Sequence, residues 1–371
     1  MITSPHPHPL SLPREGKPNC GKCPLLELHL VQFGYIKGSV KRCTALTAGQ
    51  TFFELQAEFK ASLAQYGNIL RQKQGPGGGK AVEGVEKEVC YVVNTAEYCA
   101  DTVPQLEELV KSKIDSAYTE KVSFQTEQDN FYDVIAGAIR ALVTILESQV
   151  EAGFRAMGAI NWGSVEAVGE ESPYVRTINA AVLAFVPNCR DILSSLYFRN
   201  FCDKFAAAFI PAFLTLIQKQ RRISEEGTQQ LLLDVYNLKK MMLELPRIGR
   251  EPDDAEMTVP MSYRKYVEKH MSKIERLLKL VATPVSMLVE HFRMMWPDGG
   301  TEGMIVILKL KGVKRTEQIT ILETLGGQAG AAPGGGATDG DGSDLKARAM
   351  KGMGDFQKIA SGMKTAFGPR G

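Results

Sequence analysis

The pattern that most narrows the possible folds of this chain is a three-to-four-residue apolar recurrence that returns along most of its length. In "TFFELQAEFKASLAQYGNIL", Phe52, Leu55, Phe59, Leu63, Tyr66 and Leu70 fall on one helical face. Period-two alternation, the signature of a half-buried strand, never persists long enough to claim a sheet. The fold class read from the sequence is therefore all-α. After a break at "QGPGGGK" (74–80), helices are expected from Val85 onward, over 128–159, over 172–218 with Pro187 and Pro211 as punctuation, and over 224–245. A second helical set is expected over 263–281, 284–295 and, as two short helices, 301–325.

The proline stop in "LELPRIG" and the polar stretch "REPDDAEMTVP" mark the best internal boundary. The expected order is a disordered Pro-rich start (1–26), a first helical bundle (27–248), a connecting loop (249–260) and a second helical bundle (261–325). A Gly-rich linker (326–344) and a basic amphipathic tail (345–371) follow. The two bundles in succession are read as an elongated rod.

Composition excludes several classes. The 44 Lys and Arg are nearly balanced by 42 Asp and Glu, so no global charge draws the chain to nucleic acid, and none is expected as a partner. Seven cysteines, an odd number, and no Asn-X-Ser/Thr acceptor suit a reducing compartment. The start carries five prolines and no apolar h-region, unlike a secretory signal. The longest apolar run, "FAAAFIPAFLTLI", has 13 residues, where a bilayer span needs about 18 or more. It reads as a buried core helix of a soluble, cytosolic protein.

Only one stretch raises the question of catalysis. "NTAEYCADTVPQLEELVKSKID" (94–115) sets Cys99 among carboxylates and could form the wall of an active site. Helix chemistry explains it instead. Thr102 and Gln105 have capping-box spacing, with Pro104 in the first turn. Leu106, Leu109, Val110 and Ile114 share a face, and Glu107 and Lys111 form an i, i+4 pair. The stretch is expected to be a packed seam with Cys99 buried in it. In "NWGSVEAVGEESPYV", Trp162 is expected to anchor a loop and Ser172 to cap the helix that begins at Pro173.

The remaining motifs fail on spacing. Cys20 and Cys23, taken with His29 and Cys43, match no common zinc site. "GPGGGKA" lacks the phosphate-loop spacing and hydroxyl, and reads as a linker. "DGDGSD" begins like a calcium loop but puts Met350 where a bidentate Glu is required. None of the five histidines falls in a recognisable catalytic frame. No catalytic, cofactor-binding or metal residues are assigned, no cofactor is expected, and the chain does not read as an enzyme.

Basic features remain. "YRKYVEKHMSKIERLLKLV" is a basic amphipathic helix. In "LKLKGVKRTEQ", Lys309, Lys311, Lys314 and Arg315 cluster around Gly312, a helix C′ residue joining two short helices. They form a candidate partner-binding surface for an acidic protein or an anionic membrane surface. In the tail, Lys346, Arg348, Lys351, Lys358 and Lys364 flank an apolar stripe that includes Phe356 and Phe367. These are candidate membrane-binding residues.

Five stretches in order carry a family resemblance: "NTAEYCADTVPQLEELVKSKID", "INWGSVEAVGEESPYVRTI", "FCDKFAAAFIPAFL", "GTQQLLLDVYNLKKMMLELPRIG" and "KGVKRTEQITILETL". From about Leu28 to Leu325 the chain resembles the C-terminal half of the vacuolar protein sorting-associated protein 53 family. The resemblance implies a helical-rod subunit of the Golgi-associated retrograde protein (GARP) complex and the endosome-associated recycling protein (EARP) complex. Such complexes are related in architecture to exocyst and conserved-oligomeric-Golgi assemblies. They capture endosome-derived vesicles at the trans-Golgi network and promote SNARE assembly, without known catalytic residues. The implied partners are the other subunits, SNARE proteins and small GTPases. The implied location is cytoplasmic, peripheral on trans-Golgi network and endosomal membranes. Family members are longer, with coiled coils in the N-terminal half that join the other subunits. The alternative reading is a peripheral membrane module that binds anionic lipid through its basic surfaces.

Overall fold

The computed structural model describes residues 24–75, 84–248 and 259–327, the side chains of 24–31 and 327 excepted. Residues 1–23 of the Pro-rich start, 76–83, most of the 249–260 loop, the Gly-rich linker beyond Gly327 and the whole basic tail lie outside them.

Among the described residues the regular structure is entirely helical. The helices are α1 (Pro24–Thr44), α2 (Gln50–Gln72), α3 (Val85–Lys111), α4 (Ser116–Thr119), α5 (Gln125–Ala159) and α6 (Pro173–Ile192). They continue with α7 (Ser195–Gln218), α8 (Glu225–Glu244), α9 (Met261–Ala282), α10 (Leu288–Met295), α11 (Gly300–Lys311) and α12 (Arg315–Gly327). The all-α class is what the periodicity requires.

The chain forms two compact units. Of the described residues, those in 24–150, 180–208 and 245–248 belong to one, and those in 151–179, 209–244 and 259–327 to the other. The sequence suggests a division in chain order, whereas these units take alternating segments. At 1.5 Å per residue the 35-residue α5 is about 52 Å long, so its two ends can serve different cores. Helices α6 and α7 likewise contribute to both.

In the first unit, α1, α2 and α3 pack on one another. Phe52, Phe59, Leu63, Tyr66 and Leu70 are buried on α2, whereas Leu55 is half-buried and Gln56 turns inward beside it. Each such large apolar side chain contributes about 1.5–3 kcal/mol through burial. Phe185, Phe198, Phe201 and Phe205 form a run of ring contacts at 6.0–6.4 Å.

The "NTAEYCADTVPQ" stretch corrects the capping-box expectation. Thr102 does not open a helix, because α3 runs unbroken from Val85 to Lys111 with Pro104 inside it. A mid-helix proline leaves the carbonyl four residues earlier without its N–H donor. That carbonyl belongs to Ala100, and Gln128 Nε2 of α5 donates to it at 3.1 Å. Thr102 Oγ1 donates to Tyr98 O at 2.7 Å, and Gln105 Nε2 to Asp101 O at 3.2 Å. The α5 side chain thus takes the place of the N–H that Pro104 lacks. The Glu107–Lys111 pair forms at 2.6 Å, and Cys99 is fully buried, its thiol pKa pushed far up by desolvation.

Two further expectations change. The helix expected over 172–218 is two helices broken at Leu193–Ser194, and Pro187 and Pro211 lie inside them. By length and composition alone, α7 could also cross a membrane. Its phenylalanines are packed inside each unit, Phe205 in the first and Phe209 and Phe213 in the second.

In the second unit α8 and α9 pack along one another, with Tyr263 Oη donating to Met242 O at 2.6 Å and Lys239 paired with Glu275 at 2.8 Å. Trp162 is 2% exposed, donates through Nε1 to Met157 O at 3.2 Å, and meets Tyr174 edge-on at 6.3 Å. The loop it anchors is held from α8: Gly169 N donates to Gln230 Oε1, Gln230 Nε2 to Glu170 O, and Ser172 N to Asp234 Oδ1. Helix α6 then begins at Pro173, where the missing N–H costs little.

Candidate functional site, a basic edge on the second unit

Helix α11 ends at Gly312, whose φ of 72° lies in the left-handed region that favours glycine. Val313 N donates to Leu308 O at 3.1 Å and Gly312 N to Lys309 O at 3.0 Å, the paired bonds of a Schellman stop. Leu310 O, a third orphan carbonyl of that end, accepts from Ile223 N at 2.8 Å. This backbone bond ties the α7–α8 connection, "KQRRIS" (219–224), to the α11–α12 turn. A Cβ at Gly312 would come within 2.9 Å of Arg222 Cδ, so the arginine stem passes directly over the glycine.

The four cations expected here come together but fall into two groups. Lys311 Nζ donates to Val281 O and Thr283 O, both at 2.6 Å, at the C-terminal end of α9. Lys309 Nζ donates to Gln218 O at 3.1 Å, at the end of α7. Each satisfies carbonyls that a helix leaves open and offsets its negative pole. Desolvation lowers the pKa of both; Glu225 partly opposes this for Lys311. Lys314 and Arg315 are exposed, and among the described residues no carboxylate comes within ion-pair distance of either.

The tertiary fold adds three cations that the motif search passes over: Lys219, Arg221 and Arg222, all exposed and likewise without an ion-pair partner among the described residues. The visible signal is the run "KQRR" between two long helices. Arg221 and Arg222 stand just before α8, and Lys314 and Arg315 just before and at the start of α12. A cation at a helix N-terminus opposes the dipole, by about 0.3–1 kcal/mol in exposed settings. Helix electrostatics therefore does not explain these four.

No three His, Cys, Asp or Glu side chains gather to hold a metal ion among the described residues. Cys20 and Cys23, and the tail candidates Lys346, Arg348, Lys351, Phe356, Lys358, Lys364 and Phe367, lie outside those residues.

Comparison with known proteins matches a segment that holds Lys309 and Lys311 and stops just before Lys314. The family described as "Vacuolar protein sorting-associated protein 53 C-terminus" matches residues 229–313. The chain is 35% identical over 304 residues to vacuolar protein sorting-associated protein 53 A of Arabidopsis thaliana, covering 78% of this chain and 36% of that relative. It is 32% identical over 249 residues to the Caenorhabditis elegans homolog of vacuolar protein sorting-associated protein 53, covering 66% and 30%. The chain thus spans about a third of the length of these curated relatives. The crystal structure of the C-terminal domain of the exocyst subunit Sec6p shares the fold, with a TM-score of 0.52 at 12% identity over 93% of this chain and 92% of that one.

Proposed function

Because the chain belongs to the vacuolar protein sorting-associated protein 53 family, we propose that it is a non-enzymatic subunit of a multisubunit vesicle-tethering complex. The fold shared with an exocyst subunit domain supports the tethering role. In this reading the complex is the Golgi-associated retrograde protein complex or its endosome-associated recycling counterpart. It acts from the cytoplasmic face in transport from endosomes to the trans-Golgi network. Its partners are the other subunits, SNARE proteins and small GTPases.

The observation that carries a capture role is the pair Lys314 and Arg315, exposed, without a carboxylate partner and placed against the α12 dipole. An acidic face on a SNARE or subunit would supply the missing counter-charge. Lys314→Glu with Arg315→Glu should leave helicity and melting unchanged, because exposed charges contribute little to stability. It should weaken capture of vesicles or SNAREs, with the larger loss at low salt, where surface charges are least screened. Unaltered retrograde transport in cells carrying the double reversal would contradict this role.

A further inference from the structure

Beside the basic edge lies a groove of about 540 Å³, bounded by the end of α5 and the Trp162 turn on one side and by the end of α7 with Lys219, Arg221 and Arg222 on the other. We propose that this groove is a binding site for a compact polyphosphate, the chemistry of a multiply phosphorylated lipid headgroup or of its soluble counterpart. The inference goes beyond tethering and does not depend on it.

The groove forms where α5 and α7 end, and helix C-termini ordinarily favour cations through their open carbonyls. Here five of the nearby carbonyls are already occupied. Met157 O accepts from Trp162 Nε1 and Ile160 N, and Asn161 O from Ser164 N and Oγ. Trp162 O accepts from Ser224 N and Oγ, Leu216 O from Gln220 Nε2, and Gln218 O from Lys309 Nζ. Part of each negative pole is therefore met inside the protein, and Lys309 supplies one of the donors.

No carboxylate lines the groove, whereas three cations do. Two are adjacent arginines, whose planar guanidinium groups can hold phosphate oxygens bidentately. Arg222 is held in place by its stem over Gly312, and the opposite wall is fixed by the buried Trp162 ring. The volume falls in the range of about 300–1,000 Å³ typical of sites for small ligands. A concave site of this size whose charged lining residues are all cations fits a clustered-phosphate ligand better than a flat protein face.

The test titrates the full chain with inositol hexakisphosphate, with phosphatidylcholine vesicles carrying phosphatidylinositol bisphosphate, and with vesicles carrying phosphatidylserine at equal charge. Inositol hexakisphosphate should bind, and Arg221→Glu with Arg222→Glu should weaken it at least about tenfold with an unchanged circular dichroism spectrum. Lys219→Gln with Arg221→Gln, which leaves Arg222 over Gly312, should weaken it in the same direction and guards against a folding defect in the first variant. Binding of the bisphosphate vesicles as well would identify the lipid headgroup as the source; binding of the soluble polyphosphate alone would identify the soluble one. Either supports the site. Equal binding to phosphatidylserine vesicles, displacement by polyglutamate at equal charge, no binding of the soluble polyphosphate, or indifference to both variants would overturn it.

Discussion

The middle of α3 and the basic edge of the second unit face the same problem and leave different remainders. Both contain helix backbone that its own helix cannot satisfy. In α3 the cause is Pro104, and at the basic edge it is that α7, α9 and α11 all end there. Around Pro104 the orphaned Ala100 carbonyl accepts from the Gln128 side chain of α5. At the edge Lys309, Lys311 and the Ile223 N–H perform the same repair, yet Lys219, Arg221, Arg222, Lys314 and Arg315 are left exposed without a carboxylate partner among the described residues. Charge alone did not separate these classes in "LKLKGVKRTEQ"; hydrogen bonding to helix ends did. The seam explains itself, and the edge does not.

The largest effect should come from the wall between the Trp162 loop and the groove. Trp162→Ala should destabilise the protein by about 3–5 kcal/mol in chemical denaturation, because a buried, hydrogen-bonded indole is lost. A loss under about 1 kcal/mol would mean that the loop relaxes freely, and would remove the fixed wall the groove needs.

Next in size is the contrast within the cluster itself. Lys311→Met should cost about 1–3 kcal/mol, since two carbonyls at the end of α9 lose their donor. Lys314→Met should change stability by no more than about 0.5 kcal/mol. Equal costs, measured by denaturant titration, would collapse the distinction between the two classes.

The smallest effect sharpens the account of the α3 seam. Burial tends to raise the Glu107 pKa, but Lys111, the Phe124 N–H at 2.6 Å and the charge of Lys60 outweigh it, and the net shift is downward. A carboxylate held below its unfolded value adds stability that is present above that value and lost as pH falls through the folded one. The stability difference between wild type and Glu107→Gln should therefore be under about 1 kcal/mol near neutrality and should shrink on acidification below the ordinary carboxylate range. A difference that grows toward acid would reverse the assignment.

Much of the fold could be read from the sequence because helix faces are local. The α2 stripe, the Gly312 stop, the Trp162 anchor and the Glu107–Lys111 pair all follow from spacing within a few turns. What escaped depended on partners distant in sequence. Thr102 and Pro104 have the spacing of a helix start, and only Gln128 from α5 reveals why no start occurs there. The break at Leu193–Ser194 has no glycine or proline to announce it, while Pro187 and Pro211 announce breaks that never form. At the candidate site, "KQRR" became part of the basic edge only through the bond from Ile223 to Leu310. Lys309 and Lys311 look like Lys314 in sequence until the ends of α7 and α9 are brought to them.

The central claim is that neighbouring cations of one edge divide into helix caps and a free binding surface. It is tested most directly by comparing two charge-matched double variants, Lys309→Met with Lys311→Met and Lys314→Met with Arg315→Met, each assayed for melting temperature and for vesicle capture. The account predicts that the first pair lowers the melting temperature, while the second leaves it unchanged and weakens capture. Identical behaviour of the two pairs in both assays, or a loss of stability confined to Lys314 and Arg315, would contradict it.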